Sequence, residues 1–404
     1  MIKKDIVIVG GSVAGCALGA LLQRLDVDFV ILERSTNFKN QGAGISLSES
    51  LIDQCIALDL FDEDISRIPL KVRHFIRKDN NGEEAIFWTQ PINSRAVEWS
   101  SVYRNLRKRV KEKYYCAKTQ ALAIKHTDNE FVIETSKDSY QTQFIIGADG
   151  INSFVRSQLL PSSRLNYAGY IAWRGLLKET YLENKDLFKE EVNYYFYPGG
   201  HLILYKIPTE NYQATGEVLL NWVIYESPEK PLNDLLIDKN GKKHAQSLPL
   251  GSLSDAQIAY IRAFANKVLP KSIATLINKT AEPFIQAVFD FQLPAYTTNK
   301  VIFVGDAAVT LRPHSGSGVL KALGDAIKIY NLLQDNQSKN LSSTMIAEWK
   351  KYQASVIAEE TVKSRLMGEA LVANPPNWSI MTHETTEQWW NKLMAGKNWY
   401  ATSK

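Results

Sequence analysis

Between Asp5 and Glu33 the apolar positions change their period twice. Ile6-Val-Ile-Val9 is an unbroken apolar run ending on Gly10, the pattern of a short strand buried on both faces. Val13 to Leu25 is rich in Ala and Leu and predicts a helix, after which Asp28-Phe-Val-Ile-Leu32 predicts a second buried strand closing on Glu33. A polar, glycine-rich loop follows from Lys39 to Gly44, and a helix is expected from Trp99 to Lys113. Short β-rich runs, Phe131 to Thr135 and Tyr140 to Ile146, lead into Gly147-Ala-Asp-Gly150. Between 165 and 225 the pattern alternates, with Tyr and Trp in runs such as Val192–Tyr197, His201–Ile207 and Val218–Tyr225. Such alternation predicts an antiparallel sheet with one packed face. Residues 226–252 read as loop, Val301-Ile-Phe-Val304 returns to the buried-strand pattern, and a helix is expected from 317 to 334. The remainder reads as helical, broken at Pro375-Pro376.

The fold class this implies is α/β with a discontinuous organisation. A Rossmann-like lobe is assembled from residues 1–165 and 295–365, apart from segments near 70–100 that join a sheet domain. The mostly antiparallel β-rich domain is inserted at 166–294, and 366–404 forms a C-terminal helical region.

Composition narrows the function. The chain has 404 residues, with 47 Lys and Arg against 43 Asp and Glu, a balance of +4. That excess is too small and too dispersed for a nucleic-acid partner. Three cysteines, Cys16, Cys55 and Cys116, form no CxxC pair, and the six histidines show no HxH or HxxxH spacing. A disulfide framework and a metal site are therefore not expected, and a reducing cytoplasm is. Ile6 to Leu22 is free of charge over 17 residues behind Lys3 and Lys4, which resembles a signal peptide. Four glycines interrupt it, and a buried strand, turn and helix explain it better than a membrane span. Arg107-Lys108-Arg109 with Lys111 reads as a solvated helix face, and Trp378, Trp389, Trp390 and Trp399 as a terminal helix packed on the body.

The first strand-to-helix turn carries Gly10-Gly-Ser-Val-Ala-Gly15. A pyrophosphate needs backbone N–H groups at a helix N-terminus and no side chain blocking its approach. Gly10 supplies the tight turn and Gly15 the close helix–strand contact, while Ser12 replaces the middle glycine of the G-x-G-x-x-G fingerprint. Glu33, 18 residues beyond Gly15, closes the second strand where an acid accepts hydrogen bonds from ribose hydroxyls.

Two later motifs extend the pattern. Gly147-Ala-Asp149-Gly150, followed by Ser153, Val155 and Arg156, resembles the second fingerprint of the flavoprotein aromatic hydroxylases. Val304-Gly-Asp306-Ala-Ala, then Pro313 and Gly316-Ser317-Gly318, resembles the third. Across about residues 4–365 the chain resembles the class A FAD-dependent aromatic-ring monooxygenases. Tyr167 to Gly175, Asn221-Trp222 and Pro283 to Gln286 look most like the 2,6-dihydroxypyridine 3-hydroxylase branch.

The resemblance implies an enzyme that binds FAD, uses NADH or NADPH as a transient co-substrate, and hydroxylates a small aromatic substrate with O2 through a C4a-hydroperoxyflavin. The cofactor set it implies is Gly10, Ser12, Val13, Ala14, Gly15, Glu33, Arg34, Gly44, Ile45, Arg104, Ala121, Asp149, Asp306, Pro313, Gly316, Ser317, Gly318 and Val319. Gly42 would begin a loop that touches the flavin. His201 and Tyr205 on the sheet, and His314 after Pro313, are the candidate substrate contacts, and no general base is assigned. Val309 stands where many relatives carry His, and Lys321 lies near where an Asn is usual. A reductase on the same scaffold and a non-catalytic flavin-binding protein are the alternatives. A monomer or homodimer with no membrane span is expected.

Overall fold

The computed structural model describes every residue except 36–42, 128–129, 183, 186, 294–299 and 396–404, so Gly42 and Trp399 lie outside the described residues. The predicted βαβ unit forms. Strand Ile2–Val9 pairs in parallel with Phe29–Leu32 on one side and Ser139–Gly147 on the other. Val301–Phe303 adds in parallel beside Ser139–Gly147, and Phe131–Thr135 and Ala121–His126 extend the sheet antiparallel. Helix Val13–Leu22 is buried along its whole length, which is why its sequence is apolar all round rather than amphipathic. The charge-free segment that mimics a leader is thus a central strand and a core helix, and no described helix is long and apolar enough to cross a membrane.

A second, ten-stranded sheet stands beside the first. Its centre is the antiparallel run Asn166–Lys178, Val218–Glu226, Gly200–Pro208 and Glu191–Tyr197. Strand Ile68–Lys78 joins in parallel to Glu191–Tyr197 and carries Glu84–Glu98 and Gly44–Leu47 beyond it. One face of this sheet packs on two helices, Asp255–Val268 and Lys271–Asn278, which the alternating pattern of the region did not predict. The other face turns toward the first sheet.

Helix Ser317–Asp335 packs against Val13–Leu22, and helix Ser343–Gly368 follows it. The chain end, with helix His383–Met394, lies on the inward face of the second sheet, where Trp378 and Trp390 meet Phe75. The basic run on helix Trp99–Arg109 is held in surface ion pairs with Asp59, Asp62 and Glu112.

Candidate active site

A cleft comprises two adjoining chambers of about 400 and 440 Å³ that share Ser12, Ala148 and Gly150 as walls, the inner one lying between the two sheets. The outer chamber is built around the glycine turn. Gly10 adopts φ 105°, and a Cβ there would stand 2.4 Å from the Ala148 carbonyl oxygen. A Cβ on Gly15 would lie 1.9 Å from the Gly10 carbonyl oxygen. Neither position admits a side chain, so helix and strand close tightly and the first N–H groups of the helix face the cleft. Ser12 caps that helix without spending its hydroxyl on a backbone N–H, and it borders both chambers.

Glu33, Arg34, Ala121 and Asp149 line the same outer chamber. Glu33 is only 6% exposed, and its two oxygens accept hydrogen bonds from the Gly11 and Ser35 N–H groups, each at 2.7 Å. It therefore shapes the turn as well as facing the chamber. Replacing it with Gln sets an amide donor against one of those N–H groups. Glu33→Gln is expected to weaken FAD binding about tenfold, read by fluorescence titration of the apoprotein, since a hydrogen bond to a charged group contributes about 1.5–3 kcal/mol. Unchanged affinity would remove Glu33 from the cofactor set. Asp149 accepts from the Val155 N–H at 3.0 Å through Oδ2, while Oδ1 is buried with no hydrogen-bond partner among the described residues. Burial raises its carboxyl above the usual range, against the lowering effect of Ser153 and nearby N–H groups.

The inner chamber has two unlike walls. One carries Val13, Ala14, Asp306, Pro313, Gly316, Ser317, Gly318 and Val319, with Gly44 and Ile45 at its rim. Asp306 opens onto the cleft, and its carboxylate takes no hydrogen bond from the described residues. Its surroundings raise the carboxyl by desolvation, with Lys321 and Arg156 pulling the other way. Gly316 turns at φ 65° into helix Ser317–Asp335, so that helix presents its free N–H end to the chamber, and around Gly318 there is open space.

The opposite wall is the second sheet, and its register explains which side chains face in. Phe75, Tyr194, Ile203, Val223 and Arg174 form one cross-strand row. Two residues along, Arg73, Val192, Tyr205 and Asn221 form the next on the same face. Arg73, Arg174, Tyr194, Tyr205 and Tyr225 line the chamber with Leu70, Ile92, Val192, Ile203 and Val223. The sheet also fixes the rim: Asn221 Oδ1 accepts the Gly44 N–H at 2.8 Å, and a Cβ on Gly44 would collide with Ile207, Asn221 and Tyr205.

Of the three candidate substrate contacts, Tyr205 and His314 line the chamber and His201 does not. His201 is fully buried behind Tyr194 and Tyr225, with burial pushing it down to about 3. Arg104 stands outside both chambers, paired with Glu98 and Glu210. Sequence reasoning missed Arg73, Arg174, Tyr194, Tyr225 and Arg312, all on the inner chamber. It also missed the partner of Lys321. Lys321 Nζ donates to Asp325 Oδ2 and to the Gly305 carbonyl oxygen, both at 2.8 Å, beneath the turn that carries Asp306. The i, i+4 spacing of Lys321 and Asp325 was the available signal.

A cradle from which side chains are excluded, an unpartnered buried carboxylate oxygen at Asp149, two helix N-termini and a carboxylate with no protein donor at Asp306 fit an extended dinucleotide ending in a flavin. No described group of His, Cys, Asp and Glu forms a metal site.

Comparison with known proteins agrees. A family model described as FAD binding domain-like matches residues 167–290, the core of the second sheet. The 2,6-dihydroxypyridine 3-monooxygenase of Paenarthrobacter nicotinovorans is 27% identical over 82% of this chain and 83% of its own. A salicylate hydroxylase of Pseudomonas putida is 24% identical over 82% of this chain and 77% of its own. The solved 2,6-dihydroxypyridine-3-hydroxylase from Arthrobacter nicotinovorans superposes with a TM-score of 0.83 at 24% identity, covering 94% of this chain and 96% of that one. By sequence the chain is similar to FAD-dependent aromatic monooxygenases, and its fold is that of the solved 2,6-dihydroxypyridine-3-hydroxylase.

Proposed function

We propose that this protein hydroxylates a small, electron-rich aromatic or N-heteroaromatic ring, using FAD, O2 and NADH or NADPH. The observation that carries the reading is the adjacency of the two chambers: a dinucleotide cradle shares Ser12, Ala148 and Gly150 as walls with an aromatic-lined pocket. Similar proteins act, by name, on 2,6-dihydroxypyridine and salicylate, both hydroxylated rings, which supports the same substrate class here.

Bound FAD supplies hydride acceptance and the activation of O2. The residues of this chain do the rest. The helix ends after Gly10 and Gly316 hold negative charge with backbone N–H groups already in place. Glu33 and Asp306 would each accept a hydrogen bond from a hydroxyl of the cofactor. The wall of Leu70, Ile92, Val192, Ile203 and Val223 keeps water from the reacting ring. No protein nucleophile is required. The wider reading assigns 1–165 and 295–365 to the cofactor lobe, 166–294 with strands near 70–100 to the substrate sheet, and 366–404 to the chain-end cover. It places a monomer or homodimer in the cytoplasm, with the nicotinamide binding transiently.

The test is anaerobic reduction of the yellow holoprotein by NADH and NADPH with a panel of hydroxypyridines and phenols. One aromatic is expected to accelerate flavin bleaching at least tenfold and, in air, to gain an oxygen atom. Reduction indifferent to every aromatic would refute the hydroxylase reading.

A further inference from the structure

His314 sits at the junction of the two walls. Its ring is 3% exposed and borders the inner chamber, and its Nδ1 is buried with no partner among the described residues. Its Nε2 lies 2.9 Å from the hydroxyl of Tyr170. The direction of that hydrogen bond decides what Nδ1 can do, and the neighbours of Tyr170 decide the direction.

Arg312 lies over the Tyr170 ring, with its guanidinium carbon 5.7 Å from the ring centroid, and its Nη1 and the Tyr170 hydroxyl both border Gly368. A guanidinium has donors only. It is fixed in that role by Asp290, which it meets through Nε at 3.1 Å and Nη2 at 2.8 Å, and by Glu369 at 2.8 Å. His314 Nε2 is the hydrogen-bond partner of the Tyr170 hydroxyl among the described residues. With a cation on its other side, the hydroxyl turns its proton to that nitrogen. Neutral imidazole carries one proton, so it resides on Nδ1. Burial, His201 and Arg312 all oppose a second proton, and the ring stays neutral.

We propose that His314 donates its Nδ1 hydrogen to an oxygen on the substrate ring, and that the Asp290–Arg312–Tyr170 chain is the positioning device that fixes this tautomer. The ligand class is a ring bearing an anionic or carbonyl oxygen, as in a phenolate or a hydroxypyridine in its oxo form. The inference rests on the inner chamber being the substrate's, and it goes beyond that reading by stating which group the substrate presents and to which atom. Tyr225, 4.3 Å from the His314 ring between centroids, would lie alongside the bound ring.

The probe is 4-nitrophenol, titrated into the oxidised holoprotein and followed by difference absorbance, which separates its ionised and neutral forms. Wild-type protein is expected to bind the phenolate, with the bound phenol ionising at lower pH than the free one. His314→Phe should weaken phenolate binding by about 10- to 100-fold, the range for a hydrogen bond to a charged group, and cut the ionisation shift to the part that the Arg73 and Arg174 cations on the opposite wall supply. Tyr170→Phe, which frees the tautomer without touching the ligand, should reduce the shift while the flavin spectrum stays wild-type. A wild-type protein that binds the probe neutral or not at all, or a His314→Phe variant that keeps the full shift, overturns the proposal; either result would mean that Nδ1 faces only a trapped water. Flavin content and aromatic-stimulated NAD(P)H oxidation report on the hydroxylase reading separately, because neither depends on how nitrophenol ionises.

Discussion

Lys321→Met is expected to be the most damaging single change in the cofactor lobe. Lys321 and Asp325 are 1% and 0% exposed in their side chains, and their contact at 2.8 Å is buried beneath Gly305. The same Asp325 oxygen accepts the Gly305 N–H at 2.8 Å, so the pair holds both the donor and the acceptor of that residue. Removing the ammonium leaves a carboxylate in a dry interior, a change that costs about 3–5 kcal/mol when one partner of a buried pair is deleted. Denaturant unfolding should show that loss, together with reduced flavin occupancy because the turn bearing Asp306 is no longer tied down. Burial already raises the Asp325 carboxyl, and without Lys321 it rises further. The unfolded state then binds fewer protons than the folded one, so the penalty grows as pH rises through the unfolded value and levels off above the folded one. Lys321→Met with Asp325→Asn should recover part of the stability, because a neutral amide oxygen still accepts the Gly305 N–H and no charge is left buried. A single mutant with the wild-type unfolding midpoint would contradict the account.

Asp306→Ala should separate affinity from stability. Its carboxylate opens onto the cleft and accepts no hydrogen bond from the described residues, so its deletion breaks nothing in the protein. The deletion also loses the attraction of Lys321 and Arg156, offset by the end of the carboxylate's desolvation and of its repulsion with Asp325. The apoprotein should unfold within about 0.5 kcal/mol of wild type, as substitutions outside packed networks do. FAD affinity should fall about 10- to 100-fold, the equivalent of a lost hydrogen bond to a charged acceptor. Full flavin occupancy in the purified variant would show that Asp306 is not a cofactor ligand.

What the sequence made legible was whatever depends on neighbours in the chain. Gly10, Gly15 and Glu33 announce themselves because a tight turn, a close helix contact and a strand end all fall within one βαβ unit. Asp306 and Gly316–Gly318 are visible for the same reason. Contacts made across the chain were not legible. Nothing local to Ile68–Lys78 says that it pairs in parallel with Glu191–Tyr197, so Arg73 was invisible as a wall of the chamber. Tyr170 and His314 are 144 residues apart, and only the packed sheet brings them together. Alternation between 165 and 225 announced the sheet but not the two helices on its outer face, because the amphipathic pattern of Asp255–Val268 buries only Ile261 and Ala265. His201 failed as a candidate for a further reason. It lies on the right face of the sheet, in the row of Tyr225, but its ring is covered by Tyr194, Tyr225 and the segment around Leu371.

The cofactor cradle draws its walls from residues near 10, 33, 120, 149 and 306, and the inner chamber is backed by an aromatic cluster that includes Trp390. While the chain is being made on a ribosome, no stretch ending before the strand Val301–Phe303 has emerged contains the whole cradle. Capture of the flavin is therefore a late event in the life of each new molecule; the first strand can pair with Phe29–Leu32 and Ser139–Gly147 earlier, but helix Val13–Leu22 waits for Ser317–Asp335 to cover it. Because so many of these contacts join distant parts of the chain, folding is expected to be slow as well as late. Cells short of the flavin would then accumulate folded but empty chains, rather than halt them in the middle of synthesis.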